Sequence, residues 1–449
     1  MAKADRIEAA VYQRAAFAAI CSPPGLMQSP CPTRAEDGVN KFVHGLSSLC
    51  PRIKGGIKLK LYAVWPFFGI LAGALVLLRV DRIFRIVDVE APDPRQRSSA
   101  IHGLRGLLAF GVFGHHAVVT NQYLRTGSWN YPPSAFYTLL GEVSVAFFFA
   151  ITGFLFWRKL LDARGTVDWI QLYIGRFFRI APLYLVAVGG VLLVVMARTD
   201  FELREPPHLL FGDVARWLTL GILGQPDVNG YEKTGLLMAG VTWTLRYEWL
   251  YYFSLPMLAP LAATPWHLQA VLGGLALTFA AYALDPSAHA LYASLFLCGM
   301  IAASLRHAGI QMRLEGRLGL AIAIFSLGIL FAGFHTAKGI VQVVLIGIVF
   351  HVLSSGNTVL GILGIKPVRR LGEMSYSVYL LHGLVLSGVF AIVPIKAFAL
   401  QSNGRYWLTI ALCGFLVILV ACLGCLLVER PGMQLGRKVA LKTRRRLAL

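Results

Sequence analysis

Charge is what this sequence has least of. Only 14% of its 449 residues are charged while 57% are hydrophobic, against roughly 25% and 45–50% in a soluble domain. That balance excludes an ordinary water-soluble globule. Acidic residues are the scarcer half: 22 Asp and Glu stand against 42 Lys and Arg, a formal net charge of +20. Such an excess would suit nucleic acid, but no recognition motif accompanies it, and no nucleic-acid partner is expected. The basic residues fall mostly between apolar runs and in the C-terminal tail, where membrane topology explains them better. The seven cysteines form no ligand or disulfide pattern. Cys21, Cys31 and Cys50 precede the first long apolar run, and Cys298, Cys413, Cys422 and Cys425 lie within apolar runs. Cys422 and Cys425 make a CxxC without a partner motif and read as packing residues on a lipid-embedded helix. A Walker loop, a Rossmann glycine fingerprint, HExxH and a nucleophile elbow are all missing, so neither a metal nor a redox cofactor is expected.

What is present is a series of apolar runs. A bilayer core takes about 20 apolar residues per helix. One run covers 61–78, and ten more begin near Gly103, Ser134, Ile180, Thr242, Gln269, Ala288, Leu318, Gly339, Tyr376 and Tyr406. The 45 glycines and 27 phenylalanines suit helices packed closely in lipid. The pattern predicts an all-α, polytopic membrane helix bundle with ten core transmembrane helices. An eleventh hydrophobic segment, 61–80, is either an added span or a re-entrant or interfacial piece. Residues 1–60, with Pro23, Pro24, Pro30 and Pro32, read as a basic, poorly ordered region. Their apolar stretches are too short and interrupted for a signal peptide. Residues 433–449 read as a basic tail, and the polar stretch 198–240 is expected to hold a short interfacial helix around Trp217.

Charge in the connections orients the core. Arg158, Lys159, Arg164, Arg176 and Arg179 crowd one connection; Arg306, His307, Arg313 and Arg317 another; Lys366, Arg369 and Arg370 a third; and Arg437, Lys438, Lys442, Arg444, Arg445 and Arg446 fill the tail. Counted from Gly103, all four fall on one side. The 198–240 stretch falls opposite, with six acidic residues against four basic ones. The positive-inside rule then puts both core termini in the cytoplasm.

Polar residues inside spans carry the chemistry, because lipid makes them costly unless they face a cavity or a partner. Arg105 and His116 are eleven residues apart, about three helical turns, so they share a face some ~16 Å apart along the axis. An arginine at a membrane mouth holds phosphate well, and an imidazole deeper in accepts a proton from a hydroxyl. Spacing alone equally allows a snorkelling arginine and a packed histidine. His115 is turned about 100° away and is not expected to react.

LRGLLAFGVFGHHA, with its Arg105-to-His116 spacing, resembles the arginine-to-histidine signature of the acyltransferase-3 family. Five further stretches resemble that family in the right order. They are Thr152-Gly153-Phe154-Leu155, Arg176-Phe-Phe-Arg179 before Ile180 and Pro182, the stretch from Trp243 through Glu248 to Tyr252, the stretch from Leu371 through Ser375, Tyr376 and Tyr379 to His382, and Glu429-Arg-Pro431. The resemblance covers 98–432. Thr152 stands where serine is usual, Ala146 where an acid is common, and His102 where aspartate is common. The fused extracytoplasmic hydrolase-like domain of some relatives is not expected after this core.

The resemblance implies an O-acyltransferase in a bacterial inner membrane. It would move an acyl group, most simply acetyl, from cytoplasmic acyl-coenzyme A, a co-substrate, to a carbohydrate hydroxyl at the cell surface or on an exported glycan. Arg105, Arg176 and Arg179 would hold the donor's phosphates, and His116 would serve either as general base or as transient acyl carrier. Thr152, Trp243, Glu248, Tyr376 and His382 would line the substrate sites. Glu248 is placed either in a hydrogen bond to Tyr251 or Tyr252, or on the outer side orienting an acceptor or His116. Tyr376, Tyr379 and His382 share a face as a polar seam or bring a second catalytic histidine. The rival is a multi-pass transporter or flippase of a glycan or lipid-linked substrate, whose inverted repeats the sequence does not display. The topology is open to direct test with an impermeant thiol reagent in intact cells. Cysteines placed in 198–240 should label, and cysteines placed after Glu429 should not; the reverse pattern overturns the orientation.

Overall fold

The computed structural model describes residues 60–88, 99–310, 314 and 316–447. The poorly ordered region expected over 1–60 therefore lies outside the described residues, Lys60 apart. Every apolar run is helical, and among the described residues no strand forms. The elements are α1 (Trp65–Leu77), α2 (Ser99–Thr126), α3 (Ala135–Asp162), α4 (Trp169–Arg198), α5 (Pro207–Leu218), α6 (Trp243–Ala262), α7 (His267–Leu284), α8 (Ala288–His307), α9 (Arg317–Gly333), α10 (Ile340–Ser354), α11 (Lys366–Glu373), α12 (Ser375–Ala391), α13 (Val393–Leu400), α14 (Asn403–Gly424) and α15 (Arg430–Leu447). Polar residues open several of them. The Asp168 carboxylate accepts from the Gln171 N–H at 2.9 Å before α4, and Ser402 Oγ accepts from the Arg405 N–H at 3.2 Å before α14. The helix expected around Trp217 is α5.

Length and composition support fewer spans than the sequence runs imply. Among the described residues five helices are long and apolar enough to cross a bilayer: α3, α4, α7, α8 and the stretch 403–446. A sixth is reached if α11 and α12, bent by 71° at their junction, count as one broken span. The shortfall from ten has physical causes. Helix α2 carries His102, Arg105, His115, His116, Asn121 and Gln122, and α6 carries Arg246 and Glu248, which pull their hydropathy down. Helices α9 and α10 are 17 and 15 residues long. The surface of the bundle nonetheless matches lipid. Only 11% of the apolar window of α7 is buried within the protein, and Leu193, Met257, Leu277 and Phe325 point outward, an arrangement water would penalise.

Close backbone approach holds the core together. Helices α3 and α8 make the broadest contact in the bundle. A side chain at Gly153 would strike the Phe296 carbonyl, and one at Gly299 would strike the Ala150 carbonyl, so each helix presses a glycine against the other's backbone. The extra N-terminal segment belongs to the same core. Helix α1 has 13 residues, about 20 Å, too short to cross a ~30 Å hydrocarbon layer alone. It packs against α14, and its Phe67 ring fills the space over Gly114 of α2. Both ends are tied down: Tyr137 Oη donates to the Ala63 carbonyl at 2.7 Å, and Arg370 Nη1 donates to the Leu78 carbonyl at 2.7 Å.

Arg370 is the anchor of that attachment. The side chain is 1% exposed and forks onto Asp88, Nε to Oδ1 and Nη2 to Oδ2, each at 2.7 Å, while Nη2 also reaches Asp81 at 2.8 Å. This planar bidentate match is one only arginine makes. The Arg370 hydrogen bond holds the Asp88 carboxyl below the usual carboxylate range. Stability from this pair is therefore in place above the unfolded carboxyl value near ~4 and is lost as pH falls through the lowered folded value. Arg370→Met should lower the melting temperature of the purified protein by several degrees at neutral pH, because Asp88 loses its bidentate partner and keeps only Lys366, at 3.7 Å. Its melting temperature should also change less than the wild type's between neutral and acid pH, since the part of the linked proton uptake that Arg370 causes is gone. A melting curve indistinguishable from wild type at both pH values would show the anchor to be dispensable.

Candidate functional site

Five helices, α2, α3, α4, α6 and α12, enclose a small cavity of about 100 Å³. Arg105, Thr152, Arg176, Arg179, Glu248 and Tyr376 all line it, so six of the nine residues expected at the site meet in one place. Arg105 comes from the N-terminal third of α2, and its buried Nε has no hydrogen-bond partner. Arg176 lays its guanidinium over the Phe156 ring, 5.1 Å from the centroid, a contact that leaves its N–H groups unspent. Arg179, one turn on, is committed. It forms an ion pair with Glu429, approaches Met433 Sδ at 3.1 Å and lies 5.9 Å from the centre of the Tyr376 ring. Glu429 is presented by a single π-turn, Cys425–Glu429, which closes the Arg430 N–H onto the Cys425 carbonyl and turns the carboxylate inward. Its other oxygen accepts from Ser377 Oγ at 2.8 Å. Tyr376 Oη donates to the Ile180 carbonyl at 2.8 Å.

Glu248 sits with the arginines rather than with His116. Its Oε2 accepts from Tyr252 Oη at 2.9 Å, and it interacts electrostatically with Arg105, Arg176 and Arg179. Of the two tyrosines in helical reach, Tyr251 instead donates to the Gly153 carbonyl at 3.2 Å. Geometry explains why Glu248 does not orient His116. Trp243 opens α6 at a second cavity, and five residues further on, about 7.5 Å along the axis, the helix has passed out of it. Three arginines against Glu248 and Glu429 leave one formal positive charge uncompensated, a setting for an anion.

The second cavity, of about 740 Å³, is lined by His116, Trp129, Glu142, Trp243, Tyr292 and Lys338, among others. His116 and His382 stack with centroids 5.1 Å apart, and His116 Nδ1 lies 3.0 Å from His382 Nε2. The tautomers follow from the next contact. His382 Nδ1 lies 3.1 Å from the Val378 carbonyl, which only accepts, so Nδ1 carries the proton. In the neutral pair His382 Nε2 is then the acceptor, His116 Nδ1–H donates to it, and His116 Nε2 keeps a free lone pair. Trp129 also stacks on the His116 ring, with centroids 5.9 Å apart. His382 is fully buried and lines neither cavity; it touches His116, not open space. His115 lines the same cavity as His116, with ring centroids 4.9 Å apart, but its Nδ1 lies 2.8 Å from the Tyr137 carbonyl and its ring fills the space over Gly141.

Several residues of this cavity escaped the sequence reading. Glu142 accepts from the Ala337 N–H at 2.6 Å and pairs with Lys338 at 3.6 Å, while Lys338 donates to Tyr131 Oη at 3.0 Å. An acid inside the apolar run of α3 was the available signal. Glu142 lies one turn before Ala146 on a shared face, and both line the cavity. Trp129 and Lys338 come from short connections that give no periodic signal. Among the described residues no group of three or more His, Cys, Asp or Glu is placed to hold a metal ion.

A family model described as an acyltransferase domain, that of acyltransferase-3, matches residues 98–427. No curated protein and no solved structure matches the chain.

Proposed function

Because the chain belongs to the acyltransferase-3 family and its helices are apolar enough for a bilayer, we propose that this membrane acyltransferase carries an acyl group from acyl-coenzyme A to a carbohydrate hydroxyl. In this reading acetyl is the group moved, the acceptor is a cell-surface or exported glycan, and the membrane is the inner membrane of a bacterium. The observation that carries it is the pairing of two cavities, one lined by arginines and the other by His116, along one face of α2. Helices α2, α6, α9 and α10 join the six apolar spans to complete ten crossings, with both core termini cytoplasmic. The arginine cavity then opens toward the donor and the histidine cavity toward the acceptor.

Each residue has a physical task. Arg105 and Arg176 hold the donor's phosphates, since their guanidinium groups carry no ion pair in the cavity, whereas Arg179 is spent on Glu429. Glu248 keeps three neighbouring cations from repelling one another. Trp243, packed on Tyr292 with centroids 5.0 Å apart, offers the acceptor a flat apolar wall. His116 Nε2 takes the proton of the acceptor hydroxyl as its oxygen attacks the thioester carbonyl. The carbon–sulfur bond breaks, a carbon–oxygen ester bond forms, and the proton passes to the departing thiolate. His382 positions His116 and stabilises its transient imidazolium through Nε2, much as a carboxylate orients a catalytic histidine.

Variants of the two histidines separate chemistry from packing. His116→Ala and His116→Gln should each cut acyl transfer per folded molecule by about 10²–10⁴, the usual worth of general acid–base catalysis. His115→Ala should retain much of the activity. His382→Phe should lower kcat about tenfold or more with the donor KM unchanged, as a positioning role requires. Near-normal turnover by His116→Gln removes His116 from the mechanism.

Donor binding is tested separately. Arg105→Lys keeps the charge but loses the planar fork, and Arg176→Ala loses both. Each should weaken acyl-coenzyme A binding about tenfold or more while leaving the acceptor KM near its wild-type value. Unaltered donor affinity in both variants would sink the phosphate assignment.

A further inference from the structure

The two cavities share only two lining residues, Val145 of α3 and Tyr379 of α12. They pack on a small apolar cluster of Val112, Ala239 and Val241, together with Trp129, and also reach the two large cores, Val145 one and Tyr379 the other. All six also line the histidine cavity, and Val112 lies one helical turn before His116. Of these six, Val145 and Tyr379 also line the arginine cavity, so these two side chains form a thin apolar floor between His116 and the arginines. We propose that the acyl group crosses this floor between Val145 and Tyr379, and that Val145 limits the donor to short acyl chains. The inference rests on the acyl-transfer reading and deepens it by naming the residue that sets the acyl specificity.

The two sides of the passage differ in stiffness. Tyr379 is held from several directions. Its hydroxyl donates to the Val241 carbonyl at 2.9 Å and lies 2.9 Å from Thr244 Oγ1, and its ring meets Phe148 edge-on at 5.7 Å. Val145 is half-buried, β-branched and hydrogen-bonded to nothing through its side chain, so its two methyl groups set the width. Space on the arginine side agrees. About 100 Å³ is far below the ~300–1,000 Å³ of a pocket that encloses a sizeable ligand. A thioester carrying two carbons needs little more than the carbonyl's own width, whereas each added methylene must displace Val145 or Phe148. An apolar floor also keeps water from the thioester until the acceptor hydroxyl arrives.

The full chain in lipid nanodiscs, titrated with coenzyme A and its S-ethyl, S-butyl and S-hexyl thioethers, tests this without needing the acceptor. The wild type should bind the S-ethyl form about tenfold or more tightly than the S-hexyl form. Val145→Gly and Val145→Ala should progressively erase that preference, and Val145→Leu should sharpen it, with binding of coenzyme A itself reporting that each variant is folded. Because the substitutions act in opposite directions, a folding failure in one leaves the other decisive. Equal chain-length profiles in wild type, Val145→Ala and Val145→Leu would overturn the floor's role while leaving the donor reading intact. A wild type that binds none of the four overturns the donor reading, and this inference with it.

Discussion

The site depends on one hydrogen bond, from His116 on α2 to His382 on α12. Both rings lie within an apolar bundle, where an unpaired imidazole N–H costs about as much as a lost hydrogen bond. Satisfying one ring with the other lets both stay neutral and leaves a single lone pair, at Nε2 of His116, a residue that lines the larger cavity. The chain of contacts ends at the Val378 carbonyl, an ordinary helical backbone group. The proposed base is thus held by parts that every helix possesses. The same economy recurs across the bundle. Arg179 is satisfied by Glu429, Glu248 by Tyr252, and Tyr376 by the Ile180 carbonyl. Among the buried side-chain atoms left without a hydrogen-bond partner, Arg105 Nε and Ser375 Oγ both belong to residues that line the arginine cavity.

Much of this was legible in the sequence, because lipid leaves few ways to hide a polar side chain. Each of the ten apolar runs falls on a helix, five or six of them long and apolar enough to cross a bilayer, and six of nine expected site residues gather in one cavity. Arg105 and His116 stand out for a simple reason: a helix has a fixed pitch, so spacing converts directly into facing. Other features were not legible. The partner of Arg179 is Glu429, about 250 positions away in sequence, and only the packing of α4 on α15 with its π-turn unites them. His382 read as a lining residue, since helical spacing tells which face a side chain takes but not what stands opposite. Glu248 fell on the arginine side because depth along a span depends on where the helix enters, and α6 enters after an irregular connection. Even the count of spans suffers from function. The polar residues of α2 and α6 keep both helices below the hydropathy of a span.

The two cavities divide the physical work between electrostatics and shape. On one side, clustered guanidinium groups act at a distance and suit a flexible, highly charged ligand. On the other, a histidine stacked on Trp129 and His382, beside an aromatic wall, acts only on contact and suits a group that must be oriented. On the reading proposed above, the floor formed by Val145 and Tyr379 keeps these regimes from merging, because water drawn in by the arginines would otherwise reach the thioester.

The Arg370 fork onto Asp81 and Asp88 has a consequence for where this protein begins as a folding unit. The stretch matched by the family model starts at residue 98, yet Arg370 lies inside that stretch while both of its carboxylate partners lie before it. A chain trimmed to the match would bury a guanidinium with no counter-charge and bare the face of α14 that α1 covers. Electroneutrality of the interior therefore draws the boundary some twenty to forty residues earlier than sequence similarity does, at the start of α1.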